Sequence, residues 1–455
     1  MEKLPNELIS YTIELLVEDY GFQKYHSALS NTSLVCRAWH QIVVSNPRLW
    51  SAIYVSTLRL QKPLIQQSLV RSKVAPLDVF INLSSDNDSA FEDGPDIRRA
   101  LQIVRPYQHR FRSLEFDVDF RENLRDALAT LCPHFPKLES INCTIHFNAY
   151  DGVLLHFPHV KFPALREIHL YNIPMAWQSI VAPNLRKLTF HLHPNSLCLD
   201  PFLQFLSSTL RLEHLEIASP SILDYTTTID QLNLPRLRIL KIRPGRQGDL
   251  VNTLLSHINA PNLRVLYISY QLKPHHEIKF TNYFPRLEHL SLVWINQSRD
   301  LLPKLASQMP NLRSLMLVGS FDLPPLGLRF LGRRQENGKF PFPRLTTLML
   351  RRVKLFQILD LTRARRQIKE LFLFPSDLYV PSLRQLRAQD GEQRWLSLCH
   401  RVKVKMFFSL AESYKPDDDA RELLFQGNML WANFALCEKV WLEEYLESKY
   451  GLQKR

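Results

Sequence analysis

From residue 136 onward, apolar positions alternate with polar ones in short runs, and the runs share one phrase, P-x-L-R-x-L-x-L. "PKLESINC" begins at Pro136, "PALREIHL" at Pro163, "PNLRKLTF" at Pro183, "LRLEHLEI" at Leu210 and "PRLRILKI" at Pro235. The series continues with "PNLRVLYI" at Pro261, "PRLEHLSL" at Pro285, "PNLRSLML" at Pro310 and "PRLTTLML" at Pro343. "HRFRSLEF" at His109 and "RQIKELFL" at Arg366 are degenerate copies. In "LRKLTF", Leu188 and Phe190 alternate with Lys187, Thr189 and His191. That period of two predicts a strand with one face in a core and the other turned outward. The proline, with its fixed φ and no N–H, suits the start of a strand. Between copies, "DPFLQFLSST" and "LLPKLASQM" carry helical spacing and predict helices that return the chain. A single copy cannot bury its apolar face alone, whereas stacked copies bury a continuous core and set the strands parallel.

The recurrence, every roughly 20–33 residues, resembles the leucine-rich repeat. The resemblance implies an α/β solenoid over about 109–400, with parallel strands on a concave face and helices and loops on a convex one. The asparagine that the family carries just past the strand is mostly missing, its place being taken by Ile173, His193, Pro220, Gly245, Gln271 and Ile295. An irregular horseshoe with unequal repeats is therefore expected. A target would bind on the concave face, where outward residues of successive strands fall in line. The candidates are His169, Tyr171, Lys187, Thr189, His191, Lys241, Arg243, Tyr267, Ser291, Met316, Met349, Arg351 and Phe372. Their mix of aromatic, Met and basic side chains suits a protein partner with an acidic element.

The first residues show a different pattern. In "NELISYTIELL", Leu8, Tyr11 and Leu15 form one helical stripe and Ile9, Ile13 and Leu16 a second. In "SLVCRAWHQIVV", Leu34, Ala38 and Ile42 make one row and Val35, Trp39 and Val43 another. An ordinary surface helix has a single apolar stripe. Two per helix leave one to close a hairpin and one for a partner. Pro5 suits a helix start, and Leu49 and Trp50 in "NPRLWSAI" are expected to pin the segment to the chain beyond it.

The order LP-x-E-L, apolar helix, S-L-V-C-R-A-W, L-W resembles the F-box, carried by Leu4, Pro5, Glu7, Leu8, Leu34, Val35, Cys36, Arg37, Trp39 and Trp50. The run "SLVCRAW" is similar to fungal-type F-box proteins that join the motif to degenerate leucine-rich repeats. The resemblance implies docking on the Skp-type adaptor of a cullin–RING ubiquitin ligase. Leu4, Pro5, Leu8, Leu34, Val35 and Cys36 would meet the adaptor and Trp39 would lie inside. The link "VEDYGFQKYHSALSN" is longer than the family's. The alternative for these helices is a plain N-terminal cap of the solenoid.

Composition narrows the functions. The chain has 455 residues and a net charge of +13, from 57 Lys and Arg against 44 Asp and Glu, which permits an acidic protein or nucleic acid as partner. Six dispersed cysteines without a CxxC predict reduced thiols. The absence of a long apolar run and of a basic-then-apolar leader predicts no membrane span or secretory signal, and a cytoplasmic or nuclear protein. Glycine is scarce, at 12 residues, and no phosphate-cradling or nucleophile-elbow motif is found, so no catalytic site is expected. In "SSDNDSAFEDGPD", Phe91 and Ile97 stand where a calcium loop needs Gly and Glu, so a mobile acidic loop over 84–96 is predicted. His191, His193 and the His275–His276 pair lack companion ligands, and neither metal nor cofactor is expected. The basic runs "RARRQIK" and "GRRQENGK" read as solvated helix charge. A nucleic-acid surface would want interleaved aromatics. The tail places Leu430, Phe434, Cys437, Trp441 and Tyr445 on one helical face, with Glu438, Glu443, Glu444 and Glu447 elsewhere, and predicts a C-terminal cap rather than a membrane helix.

The expected layout is thus an F-box over 1–52, a connecting segment over 53–108, a repeat solenoid over 109–400 and a helical cap over 401–455. The expected function is non-catalytic: substrate recognition for an SCF-type ubiquitin ligase, with the adaptor and through it a cullin as partners. A leucine-rich repeat scaffold without a ligase role, and less so a nucleic-acid binder, are the alternatives.

Overall fold

The computed structural model describes residues 5–19, 21–56, 62–83, 94–131, 134–146, 154–156, 160–192, 196–218, 221–222, 231–243, 249–269, 284–293, 301–318, 325–336, 338–350, 355–373, 397–398 and 401–406. Leu4, Arg351, the acidic stretch 84–93, the His275–His276 pair and the tail beyond 406 lie outside them. The chain divides into two compact units, Met1–Leu237 and Arg238–Arg455.

The first unit opens with helices α1 (Asn6–Asp19), α2 (Gly21–Ser33) and α3 (Arg37–Ser45), then a 3-10 turn over Pro47–Trp50. A parallel sheet follows through β1 (Ala52–Ser56), β2 (Leu77–Leu83), β3 (Phe111–Val118), β4 (Ser140–Ile145), β6 (Glu167–Tyr171), β8 (Lys187–His191) and β10 (His214–Ala218), each strand beside the next. Short strands pair parallel between them, β5 (Val160–Lys161) with β7 (Ile180–Val181) and β9 (Ser196–Leu197) with β11 (Ser221–Ile222); β12 (Leu232–Asn233) closes the unit. Helices α4 (Lys62–Arg71), α5 (Gly94–Val104), α6 (Arg121–Thr130) and α7 (Leu199–Ser207) connect strands. The second unit continues the pattern. Its sheet runs β13 (Ile239–Arg243), β15 (Val265–Ser269), β16 (His289–Val293), β17 (Ser314–Val318), β18 (Thr347–Leu350), β19 (Glu370–Leu373) and β20 (Lys403–Met406), all parallel. The short β14 (Ile258–Asn259) and helices α8 (Asp249–His257), α9 (Leu301–Gln308), α10 (Pro325–Gly332) and α11 (Leu355–Ala364) lie between.

The alternation predicted for the strands is what the sheet uses. Leu114, Ile141, Ile168, Leu188 and Leu215 stand in register and are buried, as are Phe116, Cys143, Leu170, Phe190 and Ile217. Burial also pushes the Cys143 thiol far above its ordinary range, with Glu115 adding to the effect, so the group is an inert hydrophobe. In the second unit Leu240, Leu266, Leu290, Leu315 and Leu348 form the equivalent buried row.

The repeated P-x-L is a tight turn ahead of each strand. The leucine N–H donates to the carbonyl of the residue before proline: Leu165 to Phe162 at 3.3 Å, Leu185 to Ala182 at 3.1 Å, Leu263 to Ala260 at 3.0 Å and Leu345 to Phe342 at 3.1 Å. Proline therefore occupies the second turn position, which its φ favours, and the flanking Phe or Ala and the Leu are buried. Copies are then tied to one another. The N–H groups of Arg186 and Lys187 both donate to the carbonyl of Arg166, at 2.8 and 2.9 Å, and those of Glu213 and His214 to that of Arg186 at the same two distances.

An amide at the x position of the turn ties some copies to the one before. Asn184 Nδ2 donates to the Pro163 carbonyl at 2.6 Å, Asn311 to that of Pro285 at 2.6 Å, and Gln367 Nε2 to that of Pro343 at 3.0 Å. The signal was in the sequence as P-N-L-R. Asn172 contributes separately: it adopts φ 60 just after β6, and its Nδ2 donates to the Ile145 carbonyl at 3.1 Å.

Four sequence expectations need correcting, the first being that the helical cap drawn over 401–455 already holds β20 (Lys403–Met406), a strand of the sheet. The segment 53–108, taken as a connector, already carries β1 and β2, because Leu77, Val79, Ile81 and Leu83 alternate inward without the P-x-L-R phrase. Helix α5 begins at Gly94, inside the stretch expected to be loop. Arg365, in the basic run "RARRQIK", is 1% exposed rather than solvated, while Arg363 and Arg366 are exposed. It fills the turn position that Phe or Met takes in other copies. Its guanidinium donates to the carbonyls of Leu331 (3.2 Å), Pro341 (2.7 Å) and Phe342 (2.7 Å). Burial lowers its pKa to about 10.

Phe342 itself has φ 51, an uncommon conformation for a bulky residue, and Arg365 grips the peptide groups around it. Arg365→Met keeps the volume but strips donors from three buried carbonyls. The unfolding free energy of the protein in urea should fall by about 3 kcal/mol; a change below about 1 kcal/mol would show that water replaces those bonds.

Candidate functional site

The first three helices fold around one cluster: Ile13 and Val17 from α1, Tyr25, Ala28 and Leu29 from α2, Ile42 and Val43 from α3, then Leu49, Trp50 and Ala52, with Ile9 and Trp39 packed against it. Helix α2 was hidden in what looked like a long link. Its buried stripe is Tyr25, Ala28, Leu29 and Thr32, at helical spacing but with a hydroxyl among few aliphatics. The Thr32 hydroxyl is satisfied by the Ala28 carbonyl at 2.7 Å. Leu49 and Trp50 pin the helices to β1 as expected: Trp50 Nε1 donates to the Val43 carbonyl at 2.7 Å, and the Arg71 guanidinium lies 4.3 Å from the Trp50 ring centre. Asn46 joins α3 to α1, donating from Nδ2 to Ser10 Oγ at 2.6 Å and to Glu14 Oε1 at 2.9 Å.

With the core closed, one set of apolar side chains remains outside it. Leu8, Tyr11, Leu15 and Leu16 of α1 are exposed, Leu8 to 51%. Leu34 is 81% and Val35 61% exposed. These two do not ride on a helix as the continuous stripe had implied. Helix α2 ends at Ser33 and α3 begins at Arg37, so Leu34 and Val35 form the turn between them. Their N–H groups bond to the carbonyls of Asn31 (3.1 Å) and Thr32 (3.3 Å), and Cys36, in extended conformation, starts α3. The turn thus projects two aliphatic side chains into solvent on a hydrogen-bonded backbone. Pro5 and Cys36 are exposed as well, and the Pro5 carbonyl accepts the N–H groups of Leu8 (3.0 Å) and Ile9 (3.2 Å). A cleft of about 700 Å³ separates α1 from α3, lined among others by Tyr11, Ala38, Gln41 and Arg48. Leu8, Tyr11, Leu34 and Val35 are thus apolar side chains that the helical core leaves exposed.

The inner strand faces differ between the units. In the first, Asn142, His169, Thr189 and Glu216 stand in register, with Tyr171 beside His191 in the next row. His169, Lys187, Thr189 and His191 are half-buried and Tyr171 is exposed. The chemistry is acidic and imidazole rather than basic: His191 Nε2 lies 3.4 Å and His214 Nε2 3.8 Å from the Glu216 carboxylate, and His169 Nε2 3.6 Å from that of Glu167. Burial, then the charge of Asp117, raises the Glu115 pKa, partly offset by the Asn142 amide at 3.0 Å.

In the second unit Lys241 and Arg243 are half-buried, the Arg243 guanidinium 5.5 Å from the Tyr267 ring centre. Tyr267, Ser291, Met316, Met349 and Phe372 fall in register as expected but are buried, Met316 and Met349 to 0% exposure, and so cannot meet a partner as the chain stands. Parallel sheets are commonly covered on both faces, and a Met, Phe and Tyr row gains from that cover.

Among the described residues no three His, Cys, Asp or Glu side chains come together as a metal site would need, and no helix is long and apolar enough to cross a membrane.

No protein-family model matches the chain, and no curated protein matches it. Among solved structures, a Bacteroides fragilis protein determined as a structural-genomics target shares 14% identity, over 71% of this chain and 84% of that one, at a TM-score of 0.34. That likeness carries no argument about activity.

One titratable group belongs to the helical core. His26 on α2 packs edge-on to Tyr25, at 5.9 Å between ring centres, and 6.5 Å from Trp50, with Nδ1 buried and unbonded. Burial lowers its pKa from 6.5 to about 4. Unfolded chains bind the proton near 6.5 and the folded one only near 4, so stability should fall as pH drops through that window and level off below it. The loss is at most about 3 kcal/mol. Thermal unfolding from pH 7.5 to 3.5 should show a steeper decline in the native protein than in His26→Phe; parallel curves would mean that the ring is hydrated.

Proposed function

We propose that the chain is a substrate-recognition subunit of an SCF-type ubiquitin ligase: an F-box formed by the first three helices, joined to leucine-rich-repeat-like units that hold a target. The protein itself performs no chemistry in this reading. It keeps a bound target near the ubiquitin-loaded enzyme, raising its effective concentration there. The observation that carries the reading is the exposure of Leu34 and Val35 on an ordered turn while the same helices bury a complete core without them. Pro5 just ahead of α1, Leu8 on it, and Cys36 at the start of α3 supply further exposed positions of the LP-x-E-L and S-L-V-C-R-A-W motifs.

A helical cap would bury such residues against its own repeats, which argues for an outside partner. Each aliphatic side chain taken fully from water contributes about 1.5–3 kcal/mol, so three or four suffice for a firm anchor. The repeat-like units support target binding through ordered strands of sequential, parallel pairing, the arrangement that gives solenoids extended surfaces.

The test is capture of a purified Skp-type adaptor by the full-length chain. Leu8→Glu with Leu34→Glu and Val35→Glu should weaken binding at least about a hundredfold while the unfolding temperature stays unchanged, because all three side chains are exposed. Deleting 1–52 is the poorer test, since Leu49 and Trp50 belong to the core that anchors β1. Adaptor binding unaffected by the three substitutions, or no binding by the native chain, overturns the proposal and leaves a repeat scaffold without a ligase role.

A further inference from the structure

We infer that the strand-start edge of the second unit is a docking surface for an acidic, extended segment of a partner protein. The P-x-L-R phrase builds this edge. The residue just before each strand is held in line by a carbonyl ladder: the Arg264 N–H donates to Arg238 (2.9 Å), Glu288 to Arg264 (2.9 Å), Arg313 to Glu288 (2.8 Å), Thr346 to Arg313 (2.8 Å) and Lys369 to Thr346 (2.8 Å). Parallel strands lie about 4.8 Å apart, so these backbones form a row at that interval. Two residues upstream, in the proline turns, Arg286 and Arg344 alternate with amides, of which Asn311 and Gln367 bond to turn carbonyls.

Arg238, Arg286, Arg313, Arg344 and Lys369 are exposed, and Arg264 is half-buried. Glu288 is the carboxylate within these two rows, 3.9 Å from Arg313 Nε. The rows therefore carry a net positive charge on a backbone already fixed, so little ordering is lost when a partner binds. Guanidinium forks pair with carboxylates through two parallel hydrogen bonds. Among the described residues, Phe284 and Phe342 of the turns are buried and Phe340 is half-buried against Arg334 and Arg365, so the edge lacks the row of open rings on which successive bases would stack. That favours a Glu- and Asp-rich peptide over single-stranded nucleic acid. The inference goes beyond the adaptor reading and uses different residues, so it stands or falls separately.

The experiment uses the full-length chain and a fluorescent Glu-rich peptide, followed by anisotropy over a salt series, with a single-stranded DNA of equal charge as the second arm. The peptide should bind at low salt and bind more tightly than the DNA. Arg238→Glu with Arg286→Glu and Arg344→Glu should weaken it at least about tenfold. Arg329→Glu with Arg363→Glu, exposed on α10 and α11, should change it less than about twofold. If the triple charge reversal unfolds the protein, Arg286→Gln with Arg344→Gln at the turns serves instead, with a loss of about threefold or more expected. Peptide binding that is absent, or equally affected by the edge and helix substitutions, overturns the inference. So does DNA bound more tightly than peptide and released by the same edge substitutions.

Discussion

The structure depends on one recurring constraint, the carbonyl just before each strand, which accepts N–H groups from the following copy. Glu139, Arg166, Arg186, Arg264, Glu288 and Arg313 all play this part, each at 2.8 to 3.0 Å. The bond locates the next strand before its own ladder begins, and the buried leucine of P-x-L, one residue upstream of each acceptor, holds the turn from inside. A buried backbone group left unpaired costs about as much as a lost hydrogen bond, so a copy that slips in register forfeits both the pair at its start and the apolar row behind it. Strict parallel order follows in each unit, even though the connections vary from short strands and loops to helices.

That constraint explains what was legible in the sequence. Alternation at Leu188 and Phe190, the proline turns, and helices α7 and α9 are local signals, and each reappears in the fold. Trp50 pins the helices as expected, whereas Trp39, expected inside, is half-buried against the same cluster. What escaped depends on contacts distant in sequence. Helix α2 is built on Tyr25, Ala28, Leu29 and Thr32, too mixed a stripe to stand out until α1 and α3 supply its partners. Strands β1 and β2 lack the phrase by which the others were found. Arg365 looked like surface charge because nothing local foretells three carbonyls converging from Leu331, Pro341 and Phe342. Leu34 and Val35 were placed on a helix because apolar spacing does not reveal that α2 stops at Ser33. The exposure of Leu34 and Val35 is nevertheless what two apolar stripes per helix had suggested.

The N-terminal helices show how surplus apolar surface becomes interpretable. Exposed leucines are ordinary on protein surfaces taken singly. Here they occur in one segment whose interior is complete, with Trp50 hydrogen-bonded, Asn46 bridging two helices and His26 dry enough that its pKa falls to about 4. A core in that condition has no need of Leu34. The turn that bears Leu34 and Val35 is held by its own backbone bonds, so its shape does not wait on a partner. A preorganised apolar projection loses little entropy on docking.

In the proposed reading, the strand faces opposite the leucine rows restrict where a target could be held. Had the row from Tyr267 to Phe372 been open, its Met and aromatic side chains would have been the obvious grip. Burial removes it, and the accessible charge is found instead at the strand starts of both units. The first unit sets half-buried His191 and His214 beside the buried Glu216 carboxylate and carries exposed arginines, Arg166 and Arg186, at its strand starts. The second offers arginines along its strand starts. In the proposed reading, the charge a target would meet lies along the strand starts, where arginines stay exposed, rather than on the buried Met and aromatic row.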